Sequence, residues 1–302
     1  MDKHVLNGVL LAFLAYASYA LSDASIKLIE GALDPFEVAF FGAVLGLGAV
    51  PFILGPGDRL TDLVVSRHRG LWLLRGAFAV IGSLSSIIAF TALPMAEAFC
   101  LIFLLPVFVT ILSVVFLKEP VGWRRWSAVI VGFLGVLIVL RPGFRELTAG
   151  HLAAIVGGFS GAVTIIILRA LGGKEKRISL YGAGLIGPIL VSGLLMLPRF
   201  AWPSGEQWLY LAGYGLLAAG GNVLIMLASA KAPASLVAPT QYSQMLWGVG
   251  LGYAVFGDRL DGWMFLGMAV IVGLPTQGYW PGPTAPPNPT ARPPNPRSPK
   301  WP

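Results

Sequence analysis

Nine stretches of this chain are each apolar over roughly twenty residues, and that one feature decides the solvent it can fold in. They fall near residues 5–28, 35–54, 71–92, 95–117, 123–140, 149–170, 178–198, 207–230 and 234–256. A helix rises about 1.5 Å per residue, so each covers most or all of the ~30 Å hydrocarbon core of a bilayer. A tenth apolar stretch begins near Trp263. Charged residues are 12% of the 302, about half the ~25% of soluble domains, so lipid must replace water over much of the surface. The expected fold class is an all-α integral membrane protein with about ten transmembrane helices.

The first apolar run ends its early portion in Ala15-Tyr16-Ala17, a pattern like a signal-peptidase site, but it stays apolar to Leu28. It reads as an uncleaved first helix. Lys and Arg concentrate in cytoplasmic loops of membrane proteins. With the N-terminus inside, sixteen of the 21 basic residues lie inside and five outside (Lys27, Arg141, Arg145, Arg199 and Arg259). This predicts both termini in the cytoplasm. The net charge of +7 is scattered over short loops without a basic, aromatic-interleaved patch, which excludes nucleic acid as a partner.

The two halves repeat one another at an offset near 140 residues. Ala128 to Gly132 reads AVIVG, as does Ala269 to Gly273; Gly122-Trp123 recurs as Gly262-Trp263, Phe116 as Phe256, Pro94 as Pro233, and Lys27 as Arg169. Five helices is an odd number, so a duplicated five-helix unit enters the membrane with opposite polarity, giving an inverted repeat. The expected organisation is a first repeat over 1–140, a second over 141–274 and a tail over 275–302. Eleven of the 28 tail residues are proline, which predicts an extended or disordered segment. Before the tail, Trp263 to Leu274 is only twelve residues, so helix ten is either truncated or runs on toward Tyr279 and Trp280.

Polar groups inside hydrocarbon are costly and face cavities or one another. Tyr16, Tyr19, Asp23 and Lys27 share one face of helix one, where Asp23 either pairs with Lys27 or serves a substrate or a proton. Helix nine carries Pro239-Thr240-Gln241-Tyr242-Ser243-Gln244 within its span; Gln241 and Gln244 share a face and either line a substrate cavity or bond other helices. Asn222 is expected to be buried, and Ser83, Ser85 and Ser86 to bond their own backbone. Glu37 and Glu97 lie near outer helix ends, where they are either solvated or shielded proton carriers. The spacings Gly42-x-x-x-Gly46 and Gly248-x-x-x-Gly252 predict close helix approach. Cys100 stands alone, and His4, His68 and His151 are far apart in sequence, so no disulfide, acid/base dyad, metal site or cofactor is read here.

Ten short helices in two repeats, with the helix-four exit Phe116-Leu117-Lys118-Glu119-Pro120 and its counterpart Phe256-Gly257-Asp258-Arg259, resemble the EamA type of the drug/metabolite transporter superfamily. Asp258 stands where that family usually has Glu. The resemblance implies a carrier and not an enzyme: a secondary transporter of the bacterial inner membrane, monomeric or homodimeric. It implies export of amino acids or related amphipathic solutes, as in exporters of the YddG kind, with S-adenosylmethionine or other metabolite import as the alternative. Proton coupling and a non-transport assembly role stay open beside it. By position it assigns the cavity to Tyr19, Asp23, Ser86, Phe103, Ser160, Asn222, Gln241, Tyr242 and Gln244.

Overall fold

A computed structural model describes residues 3–118, 122–140, 146–171, 174–232, 234–258 and 261–273. The tail expectation falls outside these residues, as do Glu119, Pro120, Arg141, Arg145, Pro233 and Arg259. All regular structure among the described residues is helical. The chain runs through α1 (Lys3–Leu28), α2 (Pro35–Gly46), α3 (Val50–Ile53), α4 (Arg69–Ala92), α5 (Met95–Ile102), α6 (Leu105–Leu117) and α7 (Trp123–Leu140). It continues through α8 (Ala149–Leu171), α9 (Arg177–Met196), α10 (Gly205–Lys231), α11 (Ala234–Val237), α12 (Tyr242–Phe256) and α13 (Gly262–Gly273). Among the described residues, seven spans are long and apolar enough to cross a membrane, with α2 and α3 joined in one and α5 and α6 in another. Within the described residues α13 has only twelve residues, ~18 Å of rise.

Helix ends are closed by local chemistry, because orphan backbone groups find no water in a bilayer. Asp34 accepts from the Phe36 N–H at 2.9 Å ahead of Pro35, which starts α2. Ser204 and Gln207 form a capping box on α10. Lys118 and Gly257, the C-caps of α6 and α12, both adopt left-handed backbone, at φ of 54° and 64°. Large apolar side chains such as Leu14, Leu152, Leu190 and Tyr253 point outward along the spans, and Trp123, Trp202 and Trp263 are exposed near helix ends. That is the pattern of a lipid-facing surface with interfacial aromatics.

Packing follows a paired plan. α1 lies along α10 and α4 along α8; α2 packs on α9 and α7 on α13; α5 and α6 contact α8 while α12 contacts α1. The expected glycine spacings do bring helices together: a Cβ on Gly248 would meet the Phe99 ring, and one on Gly42 the Tyr214 ring. At the end of the bundle where α1 and α4 finish, a core that includes Ile26, Phe90, Leu93, Met95, Phe99 and Met245 closes the interior. Glu37 and Glu97 sit in this end, and neither is solvated. Glu37 is fully buried, accepting from Ala201 N at 3.5 Å, while Glu97 lies 3.1 Å from His151 Nε2. The sequence let no acid/base dyad be read; helix packing nonetheless brings His151 to Glu97, 54 residues away. At the opposite end, Lys176 bonds Asp62 at 2.6 Å and Asp58 at 3.2 Å, tying the loop before α4 to the start of α9.

Candidate substrate site

The span of α5 and α6 is broken, as is the apolar stretch that carries α11 and α12, and a cavity opens where these two breaks meet. α5 stops at Ile102 and α6 begins at Leu105 with Pro106 as its second residue; proline has no N–H with which to continue the ladder of α5. In the other stretch, a 3-10 turn over Ala238–Gln241 containing Pro239 separates α11 from α12. Beside both breaks lies a cavity of about 180 Å³. Ile102, Phe103 and Leu105 line it from the first break and Gln241 and Gln244 from the second, with Asp23 from α1 and Ser86 from α4.

The Gln244 side-chain amide donates to Asp23 Oδ2 at 3.0 Å, so a carboxylate and an amide face one chamber deep in the bundle. Lys27 takes no part in this pair. Its Nζ donates to the Leu93 carbonyl at 2.8 Å, lies 3.7 Å from Asp258 Oδ1, and sits 5.2 Å above the Phe256 ring. Asp258 in turn accepts from the Met95 N–H at 2.8 Å. The Asp23 to Lys27 pairing open in the sequence is therefore not made, because the exit of α12 brings a second carboxylate to the lysine. Along one wall the rings of Phe90, Phe99, Phe103 and Tyr242 form a ladder with successive centroids 5.0, 6.4 and 5.8 Å apart. Such a chamber can hold a molecule with a flat or apolar body and a cationic or hydrogen-bond-donating group.

Of the nine residues assigned by position, Asp23, Ser86, Phe103, Gln241 and Gln244 line this cavity, and Tyr242 stacks on Phe103. Ser160 does not reach it: its hydroxyl donates to the Val156 carbonyl at 2.8 Å, and the residue faces Gly82 across the contact of α4 with α8. Tyr19 packs its ring over Gly221. Asn222 lines a second cavity, of about 210 Å³, and donates to the Ala218 carbonyl at 2.9 Å. That second cavity also holds Arg75, Ser83, Tyr181 and Tyr214. Sequence reasoning missed Phe90, Phe99, Ile102 and Leu105, since an apolar wall and an apolar core look alike before the helices pack. Arg75 was legible only as one more basic residue near a loop. No group of three His, Cys, Asp or Glu that could hold a metal occurs among the described residues.

The chain matches the sequence profile of the EamA-like transporter family twice, over residues 6–141 and 148–273. It is 30% identical over 279 residues to a riboflavin transporter of Vibrio cholerae, covering 90% of this chain and 92% of that one. It is 27% identical to an S-adenosylmethionine uptake transporter of Rickettsia prowazekii, covering 89% and 91%, and 24% identical to the pseudopaline exporter CntI of Pseudomonas aeruginosa, covering 88% and 93%. A crystal structure at 20% identity superposes with a TM-score of 0.60 over 92% of this chain and 96% of its own, a likeness of fold.

Proposed function

This chain belongs to the EamA-like transporter family, a membrane transporter and not an enzyme, and from that premise we propose that it moves a small amphipathic metabolite by alternating access. The observation that carries the reading is the cavity at the two helix breaks, where Asp23 and Gln244 face an aromatic wall. Discontinuous helices expose backbone and polar side chains only where a cavity takes them up, which suits a substrate site near the midplane.

The architecture in this proposal is ten helices in two inverted five-helix repeats over 1–140 and 141–274. The packing partners support it. If helix one corresponds to helix six, the α1 to α10 contact mirrors α8 to α4, and α12 to α1 mirrors α5 and α6 to α8. The separate profile matches to each half agree with it. A related pair of halves can exchange conformations, opening one side as the other closes. In the present state the end carrying Lys27 and Asp258 is packed shut. Both termini are assigned to the cytoplasmic side of a bacterial inner membrane.

Asp23 receives the positive or donor group of the solute, Gln241 and Gln244 bond its polar atoms, and Phe90, Phe99, Phe103 and Tyr242 cover its body. Amino acids and their amphipathic relatives moving outward fit this chemistry. A second reading, uptake of S-adenosylmethionine or a flavin, is favoured by the names of the Rickettsia and Vibrio relatives and by the aromatic ladder. The test is counterflow in proteoliposomes with labelled amino acids, S-adenosylmethionine and riboflavin, with and without a proton gradient. Saturable flux that drops at least tenfold in both Asp23→Asn and Gln244→Ala is expected. Wild-type flux in both variants overturns the site.

A further inference from the structure

Arg75 lies six residues into α4, about 9 Å of rise beyond Arg69, within a membrane span. A long basic side chain so placed ordinarily snorkels to the interface or pairs with a carboxylate. Arg75 does neither. Its Nε and Nη1 are buried and have no hydrogen-bond partner among the described residues, and no acidic residue shares its cavity. Each unmade bond of a buried guanidinium is costly, so these two donors mark a group able to take an oxygen acceptor.

What surrounds it has a definite chemistry. Tyr181, Tyr214, Ser83 and Asn222 line the same chamber of about 210 Å³, and Gly184 leaves the backbone bare beside the guanidinium. The polar side chains there are largely fixed by their own bonds: Tyr181 donates to the Gly46 carbonyl at 2.7 Å, Ser83 to Val80 and Asn222 to Ala218. Their dipoles are therefore preset, and the group left to be neutralised is the cation. A water occupies ~30 Å³ in the liquid, so the volume suits a group of several heavy atoms and not one water alone. A planar, permanently charged fork of donors matches a carboxylate or phosphate better than any neutral group.

Position links this chamber to the first. Ser83 lines one and Ser86 the other, one helical turn apart on α4, and the Arg75 chamber lies toward the end where Arg67, Arg69, Lys174 and Arg177 gather. A solute entering from that basic end meets Arg75 before Asp23. We propose that the cavity around Arg75 is an oxyanion-binding site for the carboxylate or phosphate of a small organic solute. The proposal rests on the carrier reading and gives its solute an acidic group. It places opposite charges in successive chambers, with the anion held nearer the basic end and the donor group nearer the shut one.

The experiment measures thermal unfolding of the full chain in neutral detergent, with benzoate, benzamide, inorganic phosphate or phosphatidylglycerol added. Benzoate or phosphate should raise the wild-type melting temperature where benzamide does not. Arg75→Lys should keep a smaller rise and Arg75→Met none, while Arg75→Met without ligand should melt at or above wild type because an unpaired buried charge is gone. Gln244→Ala should keep the anion effect in full, which separates this site from the transport site: loss of counterflow there leaves the present proposal standing. The proposal is overturned if neither anion raises the melting temperature more than benzamide, or if Arg75→Met responds as wild type does. A rise with phosphatidylglycerol alone overturns the assignment to a solute and gives the site to a lipid headgroup.

Discussion

Gly158 on α8 faces the carbonyl of Ile102, the last residue before the break between α5 and α6, and a Cβ there would lie 2.7 Å from that oxygen. The carbonyl carbon and Cα of Ile102 would follow at 3.3 and 3.4 Å, so the obstacle is backbone and cannot rotate away. An unstrained carbon to oxygen contact is about 3.3 Å or more, so Gly158→Ala must separate α8 from the break by about 0.6 Å. Overpacking of this kind costs about 1–3 kcal/mol, against which alanine regains up to about 1 kcal/mol of helix propensity. The net loss of about 1 kcal/mol corresponds to a melting temperature lower by about 2–4 °C. Tryptophan fluorescence during thermal unfolding in detergent, at one scan rate, reads this directly. Gly250→Ala is the control, because nothing lies within 4 Å of its Cβ position, and it should melt at or above wild type. A Gly158→Ala protein no less stable than the Gly250→Ala protein would refute the argument that backbone contact at the break limits the approach of α8.

Two further outcomes follow from the ends of the bundle. Lys27→Met and Asp258→Asn, singly and together, should show a coupling energy of about 0.5–3 kcal/mol in a double-mutant cycle of stability, since the pair is mostly buried; additive effects would mean that the two charges do not interact. At the other end, the hydrogen bond from the Lys176 ammonium, helped by the Arg59 N–H, holds the Asp62 carboxyl below its usual range. A depressed acid stabilises the fold above its unfolded value of about 3.9 and loses that contribution as pH falls through the folded value. Protection factors over residues 59–68, taken against the intrinsic exchange rate at each pH, should therefore fall below about pH 4 in wild type. In Lys176→Ala protection should already be low at neutral pH, and a wild-type profile in that variant would dismiss the tether.

Local composition was enough to read the solvent, the limits of most of the long helices and the presence of polar groups that needed an interior, but not the number of spans: nine or ten were expected, and seven among the described residues are long and apolar enough to cross a membrane. Length and apolarity carry that information locally: the expected spans 95–117, 149–170 and 207–230 differ from the observed helices by at most two residues at either end. The block around Gln241 and Gln244 was legible because two amides cannot face lipid. Which groups meet came from the packing of the helices. Asp23 and Lys27 are four residues apart on one helix, yet one turns to Gln244 and the other to Asp258, more than 200 residues away. Glu97 and His151, both set at helix ends, become a buried pair for the same reason. The aromatic wall and Arg75 stayed hidden because an apolar or basic side chain carries no local mark of facing a cavity. Whether it does is settled by the helices packed around it, since burial without a partner is a property of neighbours and not of the residue.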